Sequence, residues 1–127
     1  MKAITKTMTN GEIYQIAVAL MNAKFNDNEV YMPAAVNFAI QKNKTTLTET
    51  AEDVEKGRMA IIEHYSSDHT EEGYTIPAES VDKANKELSD LLSIEQEVKI
   101  YTFGIEDLED IKLTSAQMQA IMFMIED

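Results

Sequence analysis

Residues 33–65 read PAAVNFAIQKNKTTLTETAEDVEKGRMAIIEHY, and this stretch decides the fold because two seven-residue series run through it. One series is aliphatic throughout and consists of Ile40, Leu47, Val54 and Ile61. The other is mostly small or polar and consists of Val36, Asn43, Thr50, Gly57 and His64. Proline suits the first position of a helix, where its missing N–H costs nothing. The pattern predicts one helix from about Pro33 to Tyr65, roughly 50 Å long, with a narrow apolar stripe.

Two further features of this long segment bear on its stability and surroundings. Threonine lowers helical propensity, and a cluster of threonines marks where the helix could break, at Thr45, Thr46, Thr48 and Thr50. The remaining face carries charges of both signs, which we interpret as solvated surface: Lys42, Lys44, Glu52, Asp53, Glu55, Lys56 and Arg58.

Three shorter helices are predicted, one before the long helix and two after it. Thr9 and Glu12 have the capping-box spacing and open a helix over residues 10–23. A second helix is expected over residues 78–93, with an inward face of Val81, Ala84, Leu88, Leu91 and Leu92. Thr114 and Gln117 repeat the capping-box spacing and open a last helix that continues through MQAIMFMIED.

One strand is predicted over residues 97–103, EVKIYTF, where β-favouring residues alternate before Gly104. Its partner is either residues 2–8, KAITKTM, or the short GYTI segment. The expected fold class is therefore mainly α (α+β), with a long central helix, about three shorter helices packed on it and one small β element. We expect a single domain over residues 1–127, which includes an N-terminal strand/helix segment over residues 1–32.

Two polar stretches are predicted as loops from their composition. Residues 25–31, FNDNEVY, have a faint likeness to a calcium loop in Asp27 and Glu29, but the ordered ligands and central glycine of such loops are missing. Residues 66–73, SSDHTEEG, form the second loop, and the residues before Pro77 are expected to be extended.

Composition and charge exclude several function classes. The chain has no cysteine, no apolar run long enough to span a membrane and no secretory leader pattern, so we expect a cytoplasmic protein without membrane contact. The net charge is −12, and residues 68–127 hold fifteen Asp/Glu against four Lys/Arg. Because such a surface repels phosphate backbones, direct nucleic-acid binding is not expected. Basic protein surfaces are the natural counterpart.

The stretch HYSSDHTEE, residues 64–72, contains both histidines of the chain and leaves three interpretations open. A histidine near a helix C-terminus and a polar turn explain it most simply. A metal held by His64, Asp68 and His69 is the second interpretation, although the histidines are five residues apart rather than four. Catalysis at this cluster is the third. We predict no catalytic residues, cofactor or resident metal.

Two segments are candidates for partner binding. The acidic strip Glu106, Asp107, Glu109 and Asp110 alternates with apolar residues, as a solvated surface does. In the last helix Met118, Ile121, Met122 and Ile125 form one stripe, with Phe123 and Met124 beside it. Such a face is either core or an adaptable partner surface, and self-association into a homo-oligomer is a further alternative. The helix candidates for partner contact are Met118, Met122 and Phe123.

The order of segments resembles an uncharacterised family of short acidic proteins encoded by tailed bacteriophages and prophages. The resemblance is carried by MPAAVNFAIQKNKTTL, VEKGRMAIIEHY, EEGYTIPAES and KELSDLLSIEQEVKIYTFGIEDLEDIKLTSAQMQAIMFMIED, nearly the whole chain from Pro33. It implies a phage origin and a place in the cytoplasm of the infected bacterium, with virion association as an alternative. It implies no established activity and no catalytic residues.

These observations lead to three functional hypotheses. The first is a non-enzymatic accessory protein that binds a phage structural protein, in virion or tail assembly or another late-gene function. The second is an inhibitor of a host anti-phage defence protein, acting by acidic charge mimicry. The distant third is a metal-dependent enzyme centred on His64 and His69.

Overall fold

The computed structural model describes residues 1–25 and 31–126 and confirms the predicted fold class. The helices are α1 (Asn10–Asn22), α2 (Ala34–Tyr65), α3 (Ala78–Ser93) and α4 (Ser115–Ile121). The strands are β1 (Lys2–Thr9), β2 (Asp68–Thr70), β3 (Gly73–Thr75) and β4 (Glu95–Thr102), and two 3-10 turns cover Ile105–Leu108 and Met122–Met124. Asp27 and Glu29, in the turn predicted over residues 25–31, lie outside the described residues.

The long helix α2 runs without a break through its threonine-rich middle. Leu47 and Ala51 are buried there and continue the apolar stripe, while α1 and α3 both pack on α2. Burial from Val36 to Val54, on both sides of the threonines, outweighs their weak propensity, since most helical stability in proteins comes from packing. The long helix is therefore confirmed as central, with α1, α3 and β4 packed on it, whereas α4 packs mainly on α1.

The strand predicted over residues 97–103 is β4, and its partner is the N-terminal strand. β1 and β4 pair antiparallel, with Ile4 opposite Ile100. The ladder continues one step beyond the strands, because the Asn10 N–H donates to the Ile94 carbonyl at 2.9 Å. Thr9 then starts α1 through the predicted capping box, in which its hydroxyl accepts from the Glu12 N–H at 3.1 Å. The N-terminal strand thus passes into α1 through a capped corner.

A buried side chain, Asn43, ties α2 to the outer edge of β4. Its amide nitrogen donates to the Tyr101 carbonyl at 2.8 Å, and its amide oxygen accepts from the Tyr101 N–H at 2.8 Å. The side chain is 0% exposed, so both backbone groups of Tyr101 are satisfied away from water. Asn43 therefore takes the place that one residue of a third strand would occupy.

The third helix shows a narrower buried face than the sequence predicts. Ala84 is buried and Leu91 is half-buried, but Val81 and Leu92 are exposed. A Cβ atom on Gly57 would lie 3.2 Å from the Leu91 Cδ2, so this glycine leaves room for Leu91 against α2. The neighbouring elements therefore cover only part of the predicted inward face of α3, around Ala84 and Leu91.

The loop predicted over residues 66–73 contains part of a short hairpin, which corrects the sequence interpretation. β2 and β3 pair antiparallel, with His69 opposite Tyr74. Gly73 has a φ of 129°, which side-chain-bearing residues rarely adopt, and it allows the chain to reverse within a few residues. Strands of three residues are too short for alternation to be recognised in the sequence.

Candidate functional site

The C-terminal segment leaves the helix earlier than the sequence predicts. The capping box of Thr114 and Gln117 is confirmed, but α4 ends at Ile121 instead of continuing to the end of the chain. The Phe103 N–H donates to the Met124 carbonyl at 3.0 Å, and the Glu126 N–H donates to the Phe103 carbonyl at 2.8 Å. Pairing with the end of β4 thus replaces further helical hydrogen bonds, and it brings residues 122–126 beside the ribbon.

A groove of about 540 Å³ lies between this segment and the N-terminal strand. Lys2, Ile4 and Lys6 of β1 line one side. The other side and the floor come from Thr102, Met122, Phe123, Ile125 and Glu126. The volume is in the range of ligand and peptide pockets, and the groove combines apolar side chains with a few charged ones. We call it the β1 groove.

The partner candidates of the last helix separate into core and groove positions. Met118 is half-buried and packs against the core, next to the fully buried Ile121. Met122 is 61% exposed, and Phe123 is half-buried at the groove wall. The predicted single stripe is wrong as a helical face, because the 3-10 turn after Ile121 rotates Met122 outward. Two of the three candidates, Met122 and Phe123, meet in the β1 groove.

The two lysines of the β1 groove are exposed cations in an acidic protein. Within residues 1–25 and 31–126, ion pairs join only Arg58 to Glu55, at 2.6 Å, and Lys86 to Asp90, at 3.2 Å. Lys2 and Lys6 therefore have no carboxylate partner in the described part of the chain. Among the described residues that line the groove, Glu126 is the one carboxylate, and it accepts a hydrogen bond from the Thr102 hydroxyl at 2.9 Å.

The acidic strip lies on a separate part of the surface. Leu108 is buried and anchors the 3-10 turn, while the carboxylate residues Glu106, Asp107, Glu109 and Asp110 are exposed. Asp107 also has a structural role, because its carboxylate accepts a hydrogen bond from the Gly104 N–H at 3.0 Å. The strip is thus an acidic surface on which Glu106, Glu109 and Asp110 are exposed residues.

The two histidines are held by different aromatic neighbours. His64 lies in the last turn of α2 with its ring edge against Tyr65, at a centroid distance of 4.8 Å. His69 lies on β2 and stacks on Tyr74, with ring centroids 4.2 Å apart and planes 6° apart. Each imidazole therefore packs against its own tyrosine.

The surroundings of these histidines are polar and open to solvent. The Tyr74 hydroxyl donates to the Glu63 carboxylate at 3.0 Å, and this hydrogen bond raises the pKa of Tyr74. A cleft of about 430 Å³ is lined by Glu63, Asp68 and His69, among others. Across residues 1–25 and 31–126, no three His, Asp or Glu side chains come close enough to hold a metal ion. The candidate set His64, Asp68 and His69 is therefore not gathered into one site.

Comparisons with family models, with curated proteins and with solved structures gave no match to this chain. Among the described residues, no helix is long and apolar enough to cross a membrane. Among the described residues, the β1 groove brings exposed apolar side chains together with two lysines that have no ion-pair partner.

Sequence reasoning missed the β1 side of this groove. Lys2, Ile4 and Lys6 were considered only as part of a strand, although KAITKT places a charged, an apolar and a charged residue on one face. Two lysines on one face of an N-terminal strand, in a chain of net charge −12, are the signal by which the sequence could have identified them. Their position opposite Phe123 depends on chain pairing that no local pattern contains.

Proposed function

We propose that this protein is a non-enzymatic accessory protein of a tailed bacteriophage that binds another protein through the β1 groove. Virion or tail assembly, or another late-gene function, is the simplest setting, with a phage structural protein as the partner. The protein then acts in the cytoplasm of the infected bacterium. The observation that carries this proposal is the convergence of Met122 and Phe123 with an exposed strand in one groove.

The composition of the groove supports binding to a protein segment. Ile4 is 44% exposed and Met122 is 61% exposed, so apolar surface at the groove already faces solvent. Methionine adapts its shape to varied partners, and phenylalanine contributes a large contact area. Lys2 and Lys6 add two charged positions that can select among partners by complementarity. The resemblance to phage proteins, which covers the chain from Pro33, supports the setting.

Affinity capture from infected-cell lysates tests this proposal. We expect the tagged wild-type protein to enrich a virion component, identified by mass spectrometry, and the double variant Ile4→Glu, Met122→Glu to lose it. Both positions are exposed, so the variant should fold, which circular dichroism and a melting curve verify. A virion component retained equally by the groove variant would contradict the proposal, as would the absence of any enriched virion component.

A second candidate function is inhibition of a host anti-phage defence protein through the acidic strip. The observation that favours it is the exposure of Glu106, Glu109 and Asp110 without ion-pair partners in the described chain. A basic nucleic-acid channel would be the complementary surface.

The matched variant for this second function is Glu106→Gln, Glu109→Gln, Asp110→Asn, which leaves the cap formed by Asp107 intact. In the same capture experiment, charge mimicry predicts a host defence protein that this triple variant loses and the groove variant retains. Mimicry also predicts binding that weakens with added salt. The groove proposal instead predicts a partner that the groove variant loses and the triple variant retains. Each variant therefore serves as the control for the other.

A further inference from the structure

The backbone of β1 has a free edge, and its hydrogen-bonding parity follows from two observations. Along an antiparallel pair, directly opposite residues alternate between two arrangements. In one, their backbone N–H and C=O groups bond to each other; in the next, these groups point away from the partner strand. Because the Asn10 N–H bonds to Ile94, the even-numbered residues of β1 bond to β4. The N–H and C=O groups of Ala3, Thr5 and Thr7 therefore point away from the ribbon.

The same parity is visible on β4, where the outward groups of Tyr101 and Phe103 have partners within the protein. Tyr101 bonds there to the Asn43 side chain, and Phe103 bonds to Met124 and Glu126. In contrast, no described residue bonds to the outward groups of Ala3, Thr5 and Thr7. The end of the β4 edge at Tyr101 and Phe103 is thus completed by the protein itself, whereas the edge of β1 is able to accept a strand.

We infer that the β1 groove and the free edge of β1 together bind an extended acidic peptide segment of a partner protein by strand addition. This inference rests on the proposed function and specifies the partner's chemistry. The added strand bonds to Ala3, Thr5 and Thr7 through its backbone. Its side chains on the groove face lie beside Lys2, Ile4 and Lys6, so an acidic, an apolar and an acidic residue at alternate positions fit there.

Charge decides between this occupant and a second copy of the same chain. Antiparallel pairing of two β1 strands would gather Lys2 and Lys6 of both copies on one face of the new sheet. Like charges close together across strands are destabilising, and inward-facing lysines are a known protection of edges against self-pairing. Glutamate or aspartate in the added strand instead neutralises both lysines, which have no carboxylate partner in the described chain.

The net charge of −12 does not prevent this contact. Exposed charges are screened over about 8 Å at physiological salt, so charges adjacent to the peptide outweigh distant ones. β1 itself carries two lysines and no acidic residue. Glu126, the carboxylate among the described groove residues, is already hydrogen-bonded to Thr102. The edge is therefore a locally cationic strip on an acidic protein.

Fluorescence anisotropy with two synthetic probes tests the inference. The acidic probe is a labelled peptide with glutamate, valine and glutamate at alternate positions separated by threonines, and the basic probe has lysine in place of glutamate. We expect the wild-type protein to bind the acidic probe about tenfold or more tightly than the basic one. The double variant Lys2→Glu, Lys6→Glu should reverse this preference, a gain of binding that unfolding cannot produce.

Two further variants separate the edge from the general surface. Thr5→Pro removes an outward N–H without touching the ladder to β4, and it should weaken the acidic probe about tenfold. Lys99→Glu changes a lysine on the opposite face of the same ribbon, above Tyr101, and should change binding less than about twofold. In the wild-type protein, hydrogen exchange should show new protection at Ala3, Thr5 and Thr7 when the acidic probe is added.

Several results would overturn the inference. These are equal binding of both probes, no binding of either probe, equal losses for Lys99→Glu and the Lys2/Lys6 variant, or protection of β1 by self-association without any probe. If the probes fail while lysate capture still depends on Ile4 and Met122, the groove function stands and only the acidic strand is wrong. If capture is also independent of the groove, the proposed function fails as well.

Discussion

Replacing Asn43 by alanine is expected to lower the free energy of unfolding by about 2–5 kcal/mol, because two buried backbone groups lose their partners at once. The side chain makes both hydrogen bonds to Tyr101 and is completely buried. Alanine can neither donate nor accept, so the Tyr101 N–H and carbonyl remain inside without water. Since small domains are stable by only about 5–15 kcal/mol, the loss is a large fraction of the total.

Urea unfolding followed by circular dichroism measures this loss. The matched control is Asn37→Ala, at an exposed position of the same helix, which we expect to change stability by less than about 0.5 kcal/mol. If both variants unfold at the same urea concentration, Asn43 does not have the structural role assigned to it.

A second substitution at this position tests the direction of the hydrogen bonds. Asn43→Asp introduces a carboxyl, one oxygen of which can accept a hydrogen bond from the Tyr101 N–H. When the carboxyl is ionised, its other oxygen faces the Tyr101 carbonyl oxygen and is repelled by it. Burial and this repulsion raise the pKa of the introduced carboxyl in the folded state. The stability of the variant is therefore fully present below the pKa that this carboxyl has in the unfolded chain. That stability is lost as pH rises through the higher pKa of the folded state. Relative to wild type, we expect the variant to be more stable in acid than at neutral pH.

Replacing Phe103 by alanine is the other change with a large expected effect. Among the described residues, Phe103 is the largest fully buried side chain, and its backbone holds residues 124–126 against the ribbon. Truncation of a buried phenylalanine costs about 3–5 kcal/mol. For a domain of this size, that corresponds to a melting temperature lower by roughly 10–20 °C.

Phe38→Ala is the control for Phe103, because Phe38 is 48% exposed, and its ring makes an edge contact with Tyr101 at a centroid distance of 5.8 Å. We expect it to cost about 1 kcal/mol, from one aromatic contact and partial burial. Calorimetry of the three proteins gives the comparison directly. Equal melting temperatures for the Phe103 and Phe38 variants would contradict the assignment of Phe103 to the hydrophobic core.

Much of the helical framework could be predicted because its signals are local. The seven-residue series of Ile40, Leu47 and Val54 locates α2 to within one residue, and the capping boxes at Thr9 and Thr114 start α1 and α4 at the expected positions. Each signal depends on residues three to seven positions apart. Helical geometry turns such spacing directly into a shared face or a closed cap.

The candidate site could not be predicted in the same way, because it depends on distant residues. Ile4 reaches Phe123 only through the pairing of β1 with β4 and the pairing of Phe103 with the C-terminal segment. Asn43 is a polar residue in the long helix, and no local pattern indicates that it bonds to the edge of a strand 58 residues away. Met122 was placed on the same stripe as Ile121, and the early end of α4 separated them.

Site-specific photocrosslinking in infected cells tests the binding role of the β1 groove most directly. A benzophenone amino acid replaces Met122 in the groove, Glu109 in the acidic strip or Val81 on the exposed face of α3, in three separate proteins. We expect irradiation to join the Met122 position to one discrete partner protein, with no adduct from Val81 and none of the same protein from Glu109. An adduct formed only from Glu109, or the same adducts from all three positions, would contradict a binding function centred on the groove.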